Sequence, residues 1–273
     1  MINKKFAFIG VGNMAGAIIK GMETLSIPYE NVCLFDTDEK KHQRFPNTYR
    51  KADSVQDAAA FADIIILAVK PQVLSIPLED IKNSGIKLDG KLIVSIVTGK
   101  TMQSICEAIG KRDLGVVRTM PNTPMLIGRG VIALTRNEYV SDESYDDVKR
   151  LFGALGSAFE LEEERMNDII AYTSSSPAYV FHFIKSMIDN AEKHGFDRSY
   201  IKNIICDAVI GSVELLKNSE LSEDELIRMV CSPGGTTLAA MNELYEGKFA
   251  ETLDRAMDAC TKRAYELSEI KDK

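Results

Sequence analysis

The feature that most constrains this chain lies near its start. A short apolar run at residues 6–9 leads into Gly10-Val11-Gly12-Asn13-Met14-Ala15, and apolar residues then recur at helical spacing over 18–22. That order predicts a strand, a glycine turn and a helix, the G-x-G-x-x-A form of the dinucleotide fingerprint. Gly10 permits the tight turn, Gly12 lets a pyrophosphate approach the backbone, and Ala15 with Gly16 keeps the helix close to the strand. The N–H groups at the helix start then face the phosphates, with the positive end of the helix dipole behind them. Turns of this composition also arise by chance. The flanking strand and helix favour the nucleotide reading here.

The rest of the first half keeps alternating. Residues 32–35, 64–69, 92–97, 115–120 and 130–134 read as further strands, and their near-continuous apolar runs suit a sheet covered on both faces. A helix is predicted over 101–109, and Ser141, with Asp142 and Glu143 behind it, caps another reaching about residue 155. After about residue 158 the strand signals stop. Helices are predicted at 177–194, ending at Gly195, at 200–216, from the capping box Ser222…Glu225 to about 230, at 236–245 and at 250–270. The expected fold is therefore α/β: an N-terminal Rossmann-like doubly wound sheet, residues 1–160, followed by an all-helical domain, residues 161–273. The helices at 177–194 and 200–216 carry apolar residues on more than one face. That predicts burial against a second copy of the chain, the alternative being simple packing on the sheet domain.

Composition narrows the class. The net charge of −7 over 273 residues lacks the basic excess of a nucleic-acid surface. No run approaches the ~18 apolar residues of a membrane span. The start Met-Ile-Asn-Lys-Lys leads straight into the first strand, so no signal peptide is expected. Cys33, Cys106, Cys206, Cys231 and Cys260 are odd in number and form no CxxC pair, which suits reduced thiols in a cytoplasmic protein. His42, His182 and His194 stand apart from one another, and no metal site is expected.

Four further segments carry the chemistry. Asp36 comes just after the second strand, about twenty residues past the glycine turn, where an acid accepts hydrogen bonds from the adenosine ribose. Its charge repels the extra phosphate of NADP, which favours NADH, while Lys40, Lys41 and Arg44 nearby offset it. The other reading makes Asp36 and Asp38 turn caps. Ala68-Val69-Lys70-Pro71 ends the third strand at the edge where open α/β sheets bind ligands, and Lys70 is either solvated or reaches the cofactor. Pro121-Asn122-Thr123-Pro124 makes a rigid polar loop after the fifth strand. Ser232-Pro233-Gly234-Gly235-Thr236-Thr237 opens a helix with consecutive small residues, so its backbone N–H groups offer an anion site.

With these segments in order, and with 95–99, Ser175-Ser176-Pro177-Ala178-Tyr179 and 230–237, the whole chain resembles the pyrroline-5-carboxylate reductases of proline biosynthesis. The resemblance implies reduction of the cyclic imine 1-pyrroline-5-carboxylate to L-proline with NADPH or NADH. It implies that Ile9, Gly10, Val11, Gly12, Asn13 and Met14 hold the pyrophosphate, and that Ala68, Val69, Lys70 and Pro71 hold the nicotinamide end. Val97, Thr98, Gly99, Pro121, Asn122 and Thr123 would line the same side, and Asp36 with Thr37 would meet the adenosine ribose or its phosphate. Glu163 and Glu220 match acidic positions near the substrate ring, with Ser175, Val230, Ser232, Gly234, Gly235 and Thr236 around it. Thr237 is implied as the catalytic partner of the ring nitrogen. The family also implies a homodimer whose second subunit completes the cleft, often assembled into rings of dimers. Ser174 stands where many members have glycine.

Two other readings compete. A β-hydroxyacid dehydrogenase would use a helix lysine, for which Lys185 is the candidate. A non-catalytic dinucleotide-binding protein would need neither Thr237 nor the anion turn.

Overall fold

The computed structural model describes residues 2–269. Two compact units are distinguished, one containing the chain up to residue 175 together with residues from 260 onward, the other residues 176–259. Residues 161–175, expected from the sequence pattern in the helical part, group with the sheet.

The first unit is built on an eight-stranded sheet: β1 (Phe6–Ile9), β2 (Val32–Phe35), β3 (Arg50–Lys51), β4 (Ile64–Leu67), β5 (Leu92–Ser95), β6 (Gly115–Met120), β7 (Gly130–Arg136) and β8 (Gly156–Glu160). The order is β3-β2-β1-β4-β5-β6-β7-β8. The pairs from β3 to β6 are parallel, β6 and β7 are antiparallel, and β7 and β8 are parallel again. The β6–β7 connection has no crossover helix, only a short 3-10 turn, which suits antiparallel return. The helices between strands are α1 (Asn13–Thr24), α2 (Glu39–His42), α3 (Val55–Phe61), α4 (Ser75–Asn83), α5 (Met102–Ile109) and α6 (Asp142–Gly153).

The apolar runs are continuous because both sheet faces are covered. Phe6 and Phe8 of β1, Ile64 and Ile66 of β4 and Val94 of β5 pack on one side with Ile18, Ile19 and Phe152. The alternate residues Ala7, Ile9, Ile65, Leu67 and Ile93 pack on the other with Leu78 and Ile105. Each of the larger of these side chains stabilises the fold by about 1.5–3 kcal/mol relative to exposure. The edge strands β3 and β8 go beyond the sequence expectation. β3 is two exposed residues, and β8 is half-exposed, so neither writes a buried run into the sequence.

The second unit is helical: α7 (Ser176–Lys193), α8 (Arg198–Asn218), α9 (Glu223–Val230), α10 (Thr236–Glu246) and most of α11 (Phe249–Glu269). The capping box at α9 forms, with Ser222 and Glu225 each bonded to the other's backbone N–H. The expected end of the last helix at Ile270 lies outside the described residues. Only Ile188, Ile201 and Ile205 make a buried cluster in this unit. No helix among the described residues is long and apolar enough to cross a membrane.

Candidate active site

The parallel strands end in register: Ile9 lies opposite Phe35 and Leu67, and Leu67 opposite Ser95. The residue just past the end of each strand is thereby aligned, so Gly10, Asp36, Ala68 and Ile96 share one sheet edge. Between β1 and β4 the strand order reverses, the crevice where doubly wound sheets bind nucleotides.

The glycine turn sits at that crevice. Gly10 has φ +94°, and a Cβ there would stand 2.7 Å from the Ala68 carbonyl oxygen, so only glycine fits. Its N–H donates to Phe35 O at 2.8 Å. Gly12 is the N-cap of α1, no side chain caps the helix, and a Cβ at Gly12 would meet nothing within 4 Å. The first turn of α1 therefore presents backbone donors to open space, which fits a pyrophosphate. Asn13 is exposed and Met14 half-buried beside it, whereas the side chains of Ile9 and Val11 belong to the core.

Asp36 is turned inward. Its carboxylate accepts from Val11 N–H at 2.9 Å and Asp38 N–H at 3.0 Å, and both oxygens lie 3.0 Å from Lys41 Nζ. Burial acts to raise its pKa, but the two N–H donors and the lysine outweigh it and hold the carboxyl below its ordinary value. Asp36 thus clips the glycine turn to the end of β2, while Thr37 and Lys40 are exposed beside it. Ala68 and Val69 are half-buried, Lys70 is exposed, and Pro71 opens a 3-10 turn.

On the far side of the edge, Val97 is buried, Thr98 is half-buried, and the Gly99 backbone packs against Leu267 of α11. Pro121 and Asn122 are buried and Thr123 exposed. The Asn122 side chain donates to Thr173 O at 3.0 Å and accepts from Val131 N–H at 2.9 Å. Its carboxamide therefore ties the loop after β6 to the segment at Thr173 and to β7. Glu163 Oε1 accepts the Met102 N–H at 2.7 Å, at the start of α5, and lies 3.7 Å from Nη1 of the buried Arg118. Burial pushes the Arg118 pKa down, and the Glu163 charge partly restores it. Arg118 Nη2 also donates to Asn167 Oδ1 at 2.7 Å. Sequence reasoning misses this network. Its one signal is an arginine in the middle of an apolar strand, which must find partners. Ser175 Oγ accepts a hydrogen bond from Cys260 Sγ at 3.2 Å.

The second unit carries the other half of the chemistry. Pro233 and Gly234, with φ +71° at the glycine, form a turn of the type II pattern closed by Gly235 N–H to Ser232 O at 2.9 Å. A Cβ on Gly235 would lie 2.5 Å from Ser232 Oγ, so a side chain there would push the Ser232 hydroxyl aside. Thr236 and Thr237 open α10, whose N-cap Gly235 leaves it with no side-chain cap. Thr237 is half-buried, and its hydroxyl makes no hydrogen bond among the described residues. Glu220 and Val230 are exposed. Lys185 is ion-paired with Asp189 on α7. Among the described residues no group of three or more His, Cys, Asp or Glu side chains could hold a metal ion.

An open glycine crevice at the reversal point of a doubly wound sheet, with a helical unit carrying an uncapped, threonine-led helix start, defines a nicotinamide-dinucleotide-dependent oxidoreductase. A sequence profile described as "NADP oxidoreductase coenzyme F420-dependent" matches residues 5–99, and one described as "Pyrroline-5-carboxylate reductase dimerisation" matches residues 163–267. The pyrroline-5-carboxylate reductase of Escherichia coli (strain K12) is 35% identical over 98% of this chain and 99% of its own length. That of Pseudomonas aeruginosa is 32% identical over 98% of each. The crystal structure of the Plasmodium falciparum pyrroline carboxylate reductase with NADP bound superposes with a TM-score of 0.90 at 30% identity, covering 98% of this chain and 100% of that one. The chain belongs to the pyrroline-5-carboxylate reductase family.

Proposed function

We propose that this chain reduces 1-pyrroline-5-carboxylate to L-proline, the last step of proline biosynthesis, using a reduced nicotinamide dinucleotide. The observation that carries the reading is the match over 98% of the chain to relatives bearing that name, E. coli's at 35% identity. When bound, the cofactor supplies the hydride that reaches the imine carbon. The chain's residues do the rest. Gly12, Asn13 and Met14 at the start of α1 hold the pyrophosphate by backbone N–H groups, and Ala68–Pro71 with Thr98 and Thr123 flank the nicotinamide end. The N–H groups of Thr236 and Thr237, fixed at the head of α10, anchor the substrate carboxylate, with Ser232 beside them. The Thr237 hydroxyl meets the ring nitrogen. A threonine hydroxyl is too weak an acid to give up its proton outright, so it orients the iminium or relays a proton from water. By the family resemblance Glu220, Val230 and Ser175 belong to the same substrate-binding set.

We read Asp36 as favouring NADH. Its carboxyl is ionised at neutral pH and stands at the end of β2, where a 2′-phosphate would meet its charge, though Lys41 offsets part of it. The protein assembles at least as a homodimer, completed as rings of dimers, and works in the cytoplasm, whose reducing poise keeps its five cysteines unpaired. A hydroxyacid dehydrogenase is disfavoured because no glycine-rich approach motif precedes Lys185 and the 232–237 segment would have no use.

The test monitors loss of reduced-nicotinamide absorbance with pyrroline-5-carboxylate, first with NADH and then with NADPH. Rapid oxidation, with proline as product, is expected, faster with NADH. No oxidation with either cofactor would remove the reading.

A further inference from the structure

We propose that Asn122 and Ser174 are positioning residues which staple the nicotinamide-side loop to a π-turn. This rests on the proposed reductase activity. The loop from Pro121 to Thr123 lies between two prolines, so it lacks some of the backbone donors that would otherwise anchor it. Facing it, residues Ile170–Ser174 form a π-helical turn, closed by Ser175 N–H to Ile170 O at 2.9 Å. Such wide turns are rare and are frequently found at functional sites.

Just past the turn, Pro177 has no N–H for an α-helical bond to the Thr173 carbonyl. The Asn122 amide supplies a donor to that carbonyl at 3.0 Å. Its other end accepts from Val131 N–H of β7 at 2.9 Å, so one buried side chain bridges the π-turn and the sheet. One residue further on, Ser174 Oγ donates to the Pro121 carbonyl at 3.2 Å. Two side-chain hydrogen bonds thus run in opposite directions between the same two segments. Both act by holding the loop backbone and Thr123 in place. Misplacing a reacting pair by about 1 Å costs on the order of a hundredfold in rate.

The test compares Asn122→Asp, which keeps the acceptor for Val131 but loses the donor to Thr173, with Ser174→Ala. Turnover per folded chain should fall about tenfold to a hundredfold for the first and roughly two- to fivefold for the second. The dinucleotide dissociation constant should stay within about threefold of wild type, and the isotope effect with 4-deuterated NADH should grow as hydride transfer becomes rate-limiting. The fluorescence anisotropy of bound NADH should drop, reporting a looser ring. A large loss of dinucleotide affinity with an unchanged isotope effect would overturn the proposal in favour of a direct ligand contact. Unchanged turnover and anisotropy in both variants would also overturn it. If Asn122→Asp does not fold, Ser174→Ala decides alone. Should wild type leave pyrroline-5-carboxylate unreduced, the reductase reading falls, while the anisotropy still judges the staple.

Discussion

Two helices of this chain begin on a glycine with no side-chain cap, and they are held in opposite ways. α1 starts at Gly12 and buries Ala15, Ala17, Ile18, Ile19, Gly21 and Met22 in the sheet core. α10 starts at Gly235 and buries none of its residues. Both offer backbone donors to an anion, but donors stabilise charge only if they are fixed before it arrives. The first unit fixes its own. The second leaves Phe181 63%, Tyr200 64% and Tyr245 61% exposed. An apolar surface of that kind marks an interaction site. The contrast teaches that the sheet unit fixes its glycine-led helix within one chain, whereas the helical unit, matched by a dimerisation profile, leaves an apolar surface of the kind a second copy covers.

The largest expected effect bears on the α10 side. Thr237→Ala should lower turnover by roughly ten- to a thousandfold, the range for one positioned polar group, with dinucleotide affinity unchanged. Steady-state kinetics with a separate NADH titration checks it. Turnover near wild type would break the assignment of substrate chemistry to α10.

Next comes the assembly. Phe181→Glu places a charge on the exposed apolar face of α7 and should weaken the dimer by about thirty- to a hundredfold, as for a hot-spot residue. Sedimentation velocity reads the dimer, and activity should track its concentration. A stable, fully active dimer would show that α7 is not the covered face.

How far the sequence discloses this divided arrangement depends on burial. The β1 turn and α1 are legible because Gly10, Gly12 and the apolar residues around them obey strict local rules. The α9 capping box is equally plain, since Ser222 and Glu225 satisfy each other across three residues. What stays hidden is what depends on distant partners. Nothing near Asn122 in sequence announces Thr173 or Val131, and nothing near Glu163 announces Met102 or Arg118. In both cases a polar residue in a motif segment invites a ligand role, while the fold uses it to satisfy a buried backbone group. β8 is hidden for another reason, because a half-exposed edge strand has no apolar signature.

A smaller effect tests the α1 side. Asp36→Ser removes a charge from the end of β2 and should raise the NADPH-to-NADH efficiency ratio about tenfold, equivalent to about 1.4 kcal/mol. Because Asp36 also holds the Val11 N–H, KM for both cofactors should rise somewhat. Since its folded pKa is depressed, the stability it contributes is present at neutral pH and fades as pH falls through the acid range. The variant's acid unfolding profile should be flatter there. An unchanged cofactor ratio would leave Asp36 as a clip alone.

The last expected effect leaves catalysis untouched and reads the same division through the thiols. Burial lifts the Cys33 thiol to about 11 and raises that of Cys106, and both are in the sheet core. Cys206 and Cys231 lie in the helical unit and are half-buried. At pH 8 the core pair should therefore resist alkylation, because thiolate is the reactive form and burial also bars access. Cys206 and Cys231 should react in a chain forced to be monomeric and slow down in the assembled protein if the second copy covers them. Peptide mass spectrometry after timed alkylation distinguishes the cases. Equal rates for all four cysteines in both states would mean that the sheet unit and the helical unit do not differ in how they are protected.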